Sequence, residues 1–93
     1  MEYQRNDEAW AEITNRNVSN ALADLTSASI TVIAPDETVV VNAEAMTKRS
    51  TGIYDHYYSI PSDAQIGWYK ALVTCIDGSH SWVVPGGFRV IED

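Results

Sequence analysis

Between Gly52 and Asp77, two runs of aromatic and β-branched residues flank a short polar loop. The first run is Ile53-Tyr54-Asp55-His56-Tyr57-Tyr58-Ser59-Ile60, and the second is Gly67-Trp68-Tyr69-Lys70-Ala71-Leu72-Val73-Thr74-Cys75-Ile76. Such residues fit a pleated, half-buried surface, so both runs are expected to be strands. Pro61 heads the loop between them, and the pair reads as one long hairpin. Side chains alternate across a strand, which sorts each run into two faces. Tyr54, Tyr58, Tyr69, Ala71, Val73 and Cys75 are expected in the core, with His56 on the same inward face. Asp55, Lys70 and Thr74 mark the opposite faces as solvent-facing. Tyr57, Trp68 and Leu72 fall on those outward faces.

The rest of the chain repeats this pattern in shorter pieces. Ala9-Trp10-Ala11-Glu12-Ile13-Thr14 is a first strand, and Asn15 to Asn20 is turn-rich. Leu22 and Leu25 could plug one end of the core. Ser29 to Ala34 and Val39-Val40-Val41 form a hairpin through the turn Pro35-Asp36-Glu37-Thr38. Asn42 to Met46 reads as one helical turn or an extended crossing, with Met46 closing the core. Asp77-Gly78-Ser79-His80 is a tight-turn signal. Ser81 to Val84 then pairs back, Pro85-Gly86-Gly87 interrupts as a bulge or kink, and Phe88 to Ile91 finishes with Phe88 and Val90 inward.

Six or seven short strands joined by turns, with no long helix, indicate an antiparallel sandwich or barrel. Three Trp, five Tyr and one Phe in 93 residues favour a sandwich, where large rings fill the space between sheets. A chain of this length makes one domain. The polar residues 1–8 are expected to be an N-terminal arm, and residues 9–93 a single domain.

The formal net charge is −7. An acidic surface repels phosphate backbones and anionic lipid, so neither nucleic acid nor membrane is expected as a partner. Met1 to Glu8 has neither a basic start nor an apolar stretch, so no signal peptide is expected and synthesis in the cytosol is. Cys75 is the single cysteine; no intramolecular disulfide is possible, and a lone cysteine within a strand reads as a small buried apolar residue.

Three features resemble immunoglobulin-like β-sandwich modules of the disulfide-free kind. They are Ile30-Thr31-Val32-Ile33-Ala34-Pro35-Asp36 with Val39-Val40-Val41, then Thr51-Gly52-Ile53-Tyr54 with Tyr58 and Ile60-Pro61, and then Gly67-Trp68-Tyr69 opening a strand that ends at Asp77-Gly78, closed by Gly87-Phe88-Arg89-Val90. The span from Ile30 to Val90 is similar to filamin-type, macroglobulin-type and bacterial immunoglobulin-like domains. Similar modules accompany structural proteins of tailed phages and archaeal viruses. The resemblance implies an immunoglobulin-like antiparallel β-sandwich of about seven strands. It also implies a tyrosine corner at Tyr69, with the hydroxyl bonded to backbone upstream. The paired cysteines of antibody domains are absent.

No catalytic constellation stands in the sequence. Ser79-His80-Ser81 sets a hydroxyl beside an imidazole, but adjacent residues on a strand point to opposite faces. His56 reads as a structural histidine and His80 as an exposed turn residue. No Cys or His spacing suits zinc, and Asp36, Glu37, Asp55, Asp63 and Asp77 form no EF-hand loop. No enzyme activity, cofactor or metal is therefore expected. The candidate site is instead an interaction surface of outward apolar residues: Tyr57, Trp68, Leu72 and Trp82. The expected function is a protein–protein interaction or assembly module, by the resemblance a virion or phage component, whose partners are capsid or tail proteins or a second copy of itself. Carbohydrate stacking on Trp68, Tyr57 and Trp82 is the alternative.

Overall fold

The structure, a computed structural model, describes residues 2–92. It contains eight strands: β1 (Glu2–Gln4), β2 (Glu8–Thr14), β3 (Ser27–Ile33), β4 (Val39–Ala45), β5 (Thr47–Ser50), β6 (Ile53–Ser59), β7 (Gly67–Asp77) and β8 (His80–Ile91). Five of them form one sheet in the order β1-β8-β7-β3-β4, and three form the other in the order β2-β6-β5. The expected fold class is the one adopted: an all-β, immunoglobulin-like sandwich. All pairings are antiparallel except β1 with β8.

The core follows from strand alternation. The larger sheet turns Ala28, Ile30 and Val32, then Tyr69, Ala71, Val73 and Cys75, then Phe88 and Val90 toward its partner. The smaller sheet answers with Ala9, Tyr54 and the half-buried Ala11, Ile13 and Tyr58. Phe88 gathers the rings at one end: it stacks on Tyr69 at 5.0 Å, meets Tyr3 edge-on at 5.8 Å and lies 6.2 Å from Tyr58. The Tyr69 hydroxyl donates to the carbonyl of Gln65 at 2.9 Å, which is the corner bond that the resemblance implies. Leu25 and Met46 seal the core, while Leu22 stays exposed beside a single bridge from Arg16.

Four expectations need correction. The stretch Gly52–Asp77 is not a hairpin, because β6 and β7 belong to different sheets. The intervening loop buries Ile60 and Ala64, and so carries the chain across the sandwich. Asn42–Ala45 continues β4 and forms no helical turn; the extended chain then crosses through Met46 to β5 in the other sheet. Pro85-Gly86-Gly87 does not interrupt pairing: the register runs unbroken through Leu72↔Pro85, Ala71↔Gly86 and Lys70↔Gly87. A proline can sit there because its nitrogen faces the open side of an edge strand. Finally, Glu2–Gln4 of the supposed arm is a strand, paired in register with Arg89–Ile91. Met1 lies outside the described residues.

Candidate interaction surface

The two sheets differ in length, and that difference leaves part of the longer sheet uncovered. β7 and β8 run for 11 and 12 residues, whereas β2 and β6 have 7 each. β8 is paired with β7 along its whole length, but β1 covers only Arg89–Ile91. From His80 to Phe88 the outer edge of β8 therefore has no neighbouring strand among the described residues. Alongside it lies a groove of about 260 Å³. Ala71, Val73, Val84 and Gly86 of the larger sheet line it, and Ala11 and Ile13 of β2 stand opposite.

β8 is apolar on both faces here. Trp82 and Val84 share the inward parity of Phe88 and Val90, yet they remain 40% and 38% exposed, because the smaller sheet does not reach over them. Val83, on the opposite face, is 55% exposed. A strand apolar on both faces is the pattern of a strand buried on both. An edge with unpaired backbone groups and no charged residue is a template for another strand. No residue between Gly78 and Phe88 carries a formal charge in a chain of net charge −7.

The four residues singled out from sequence do not form one surface. Trp68 and Leu72 lie on the outer face of β7, Trp68 opposite Arg89 and Leu72 between Thr31 and Pro85. Trp68 is 62% exposed and Leu72 is half-buried. Tyr57 is exposed on the outer face of β6, on the other side of the sandwich. Trp82 is exposed beside the open edge, opposite Cys75. Tyr57 instead joins a cluster that sequence reasoning missed. It pairs across the ladder with Trp10, and the Arg49 guanidinium lies 6.0 Å from its ring centroid. Arg49 also binds Asp55, and Trp10 Nε1 donates to Asp55 Oδ2 at 3.1 Å. Asp55 is on the outer face as expected, but these neighbours cover it. The signal for Val83 and Val84 was present: Trp82-Val83-Val84-Pro85 has no polar member to mark a solvent face.

Among the described residues, no three His, Cys, Asp or Glu side chains come together. His56, half-buried between the sheets, has Nε2 3.7 Å from Glu44 Oε1, and Nδ1 has no hydrogen-bond partner. Burial pushes the thiol of Cys75 up from its ordinary value, which disfavours the reactive thiolate.

Two sheets, a corner tyrosine and an inter-sheet β6–β7 crossing place the chain in the class of immunoglobulin-like β-sandwich domains. Among solved structures it is similar to the crystal structure of the Lin-41 filamin domain, with a TM-score of 0.65 and 22% identity over 97% of this chain and 82% of that one. At that identity the likeness is one of fold. No protein-family model matches the chain, and no curated protein does.

Proposed function

We propose that this chain is a non-catalytic protein-interaction and assembly module, and that it docks partners on the open side of the sandwich between β2 and β8. The observation that carries this is the unpaired, charge-free edge of β8 beside an apolar groove. Addition of an extended segment to such an edge gives affinity through main-chain bonds and selectivity through the groove.

The test is selection of extended peptides from a displayed random library, followed by amide chemical-shift mapping. Selected peptides are expected to move the resonances of Ser81, Val83 and Gly87. Peptides that bind only the loops, or a library that yields no binder, would overturn this reading. A virion or phage role, beside capsid or tail proteins, is its finer form. What supports that form is the resemblance of Ile30–Val90 to immunoglobulin-like modules of tailed phages and archaeal viruses. Capsid, portal or tail genes beside this one would bear on it directly. The carbohydrate alternative draws on exposed aromatics, but Trp68, Tyr57 and Trp82 stand on separate surfaces and offer no common stacking platform.

A further inference from the structure

We infer that the partner strand for β8 is β8 of a second copy, paired antiparallel about a two-fold axis through Val84. This rests on the reading of the β8 edge as a docking edge, and it names the occupant.

The argument begins with the limits of the open edge. Toward the C-terminal end, β1 occupies it from Arg89 onward, and toward the N-terminal end the Gly78 turn ends the strand. The open window is His80 to Phe88, and Val84 is its centre. A two-fold axis at Val84 pairs His80 with Phe88 of the second copy, so the window maps onto itself. The second copy's window then ends with His80 opposite Phe88, one ladder position before Glu2 pairs with Arg89, so it abuts β1 without displacing it.

Backbone direction agrees. Residues of an antiparallel ladder alternately turn their N–H and C=O toward and away from a given neighbour. Pro85 lacks an N–H, so within the unbroken β7–β8 ladder it must face away from β7. Ser81, Val83 and Gly87 share its parity and face the same way. About Val84, Ser81 meets Gly87 of the second copy, and Val83 meets Pro85. Each Val83 N–H then finds a Pro85 carbonyl, and each Ser81–Gly87 pair exchanges two bonds. Moving the axis to Pro85 would set two prolines face to face with no donor between them.

Side-chain volumes agree as well. On the inner face, Trp82 comes to lie opposite Gly86 of the second copy, and Val84 opposite Val84. On the outer face, Ser81 lies opposite Gly87, and Val83 opposite Pro85. Each large residue meets a small one or one of similar size, and Gly86 leaves room for the indole. The window carries no formal charge, so two acidic chains would meet there along a segment that adds no charge repulsion of its own. The result is a continuous sheet of ten strands, five from each copy. The exposed Trp82 and Val84 of both copies would line one shared strip on its inner face.

The test is sedimentation of the full chain together with a cysteine cross-link. The wild-type chain is expected to sediment at twice the mass of one chain at tens of micromolar. Val84→Lys sets two lysines directly across the axis, with Cα atoms about 4.5 Å apart as in a non-hydrogen-bonded pair, so their like charges face each other. It is expected to weaken the dimer by at least about tenfold while keeping the β circular dichroism, since Val84 is solvent-exposed in the single chain. Val84→Cys is expected to form an intermolecular disulfide under mild oxidation, whereas Trp68→Cys, on the outer face of β7, is not. A wild-type monomer at 100 μM, as an order-of-magnitude upper bound for a functional dimer, would overturn this inference. Equal cross-linking of the two cysteine variants would overturn it too. A wild-type monomer that still takes selected peptides on β8 would refute the self-pairing alone. A dimer linked through Val84→Cys that takes no peptide would confirm the self-pairing and refute the docking of other segments.

Discussion

Arg49 Nε lies 2.7 Å from one carboxylate oxygen of Asp55 and 2.8 Å from the other. The two partners are unequally exposed: the Asp55 side chain is 5% exposed and the Arg49 side chain 51%. Removing Arg49 strands a covered carboxylate, whereas removing the carboxylate returns a cation to water. Arg49→Met is therefore expected to lower the melting temperature more than Asp55→Asn does. For Asp55→Asn the expected loss is about 1–2 kcal/mol, the scale of charge-assisted bonds partly replaced by neutral ones. Thermal melts of the two variants check the order.

The same pair makes the fold acid-sensitive. The Arg49 hydrogen bond holds the Asp55 carboxyl below its ordinary value, against the opposing effect of burial, and Trp10 adds to the lowering. A carboxyl whose folded value is depressed contributes stability above its unfolded value, near 4, and loses that contribution as the pH falls through the folded value. Urea midpoints are expected to hold from pH 7 to about 5 and to fall below about 4. The fall should be shallower in Asp55→Asn. Identical slopes for wild type and variant would show that Asp55 is not the group responsible.

Gly52 has the left-handed φ of 74°, and a Cβ there would stand 2.8 Å from the Asn15 carbonyl oxygen and 2.9 Å from the Ala23 nitrogen. Both neighbours are backbone and cannot turn aside. The Gly52 amide also donates to Asp24 Oδ1 at 2.9 Å, which ties the 15–24 loop to the start of β6. Gly52→Ala combines a left-handed cost of about 1–2 kcal/mol with overpacking of about 1–3 kcal/mol. It is expected to be among the most damaging single changes. Gly86→Ala, whose Cβ would meet nothing closer than 3.8 Å, is expected to change stability by less than about 1 kcal/mol. Chemical denaturation of both variants tests the contrast.

Phe88 and Trp68 separate core from surface. Phe88 is buried among Tyr3, Tyr58 and Tyr69, so Phe88→Ala is expected to cost about 3–5 kcal/mol. Trp68→Ser is expected to leave the melting temperature nearly unchanged, and Leu72→Ser to fall between them because Leu72 is half-buried. A large loss in Trp68→Ser would mean that the faces of β7 are reversed.

Cys75 is buried on the inner face of β7, and burial raises its thiol above the ordinary value. Reaction with an aromatic disulfide reagent at neutral pH is expected to be slow and to accelerate with urea in step with unfolding. Rapid labelling of the native chain would contradict the packing of β7.

The faces of β7 were legible because Lys70 and Thr74 leave one reading of a period-two pattern, and the family resemblance implied a corner bond from Tyr69 to upstream backbone, whose acceptor the structure gives as Gln65. The partner of β6 was not legible. A loop of seven residues between Ser59 and Gly67 suits a hairpin and an inter-sheet crossing alike, and the burial of Ile60 and Ala64 decides between them. Asp55 misled for a related reason. Alternation places it on the outer face, but only the folded chain brings Trp10 and Arg49 over it, from β2 and β5. The candidate site was half-legible: Trp82 stood out, whereas Val83 and Val84 looked like ordinary strand residues.

By itself, the sequence determined that this chain is a β-sandwich and which side of most strands carries the core, because alternation is a local property of the extended backbone. Tertiary structure alone decided which strands share a sheet, where the smaller sheet stops and that β1 leaves most of the β8 edge open. Those outcomes depend on contacts between residues far apart in the chain, such as Tyr3 with Phe88 and Arg89–Ile91 with Glu2–Gln4. The exposure of Trp82 and Val84 follows from them, because a residue of inward parity is buried only where an opposing sheet exists to cover it.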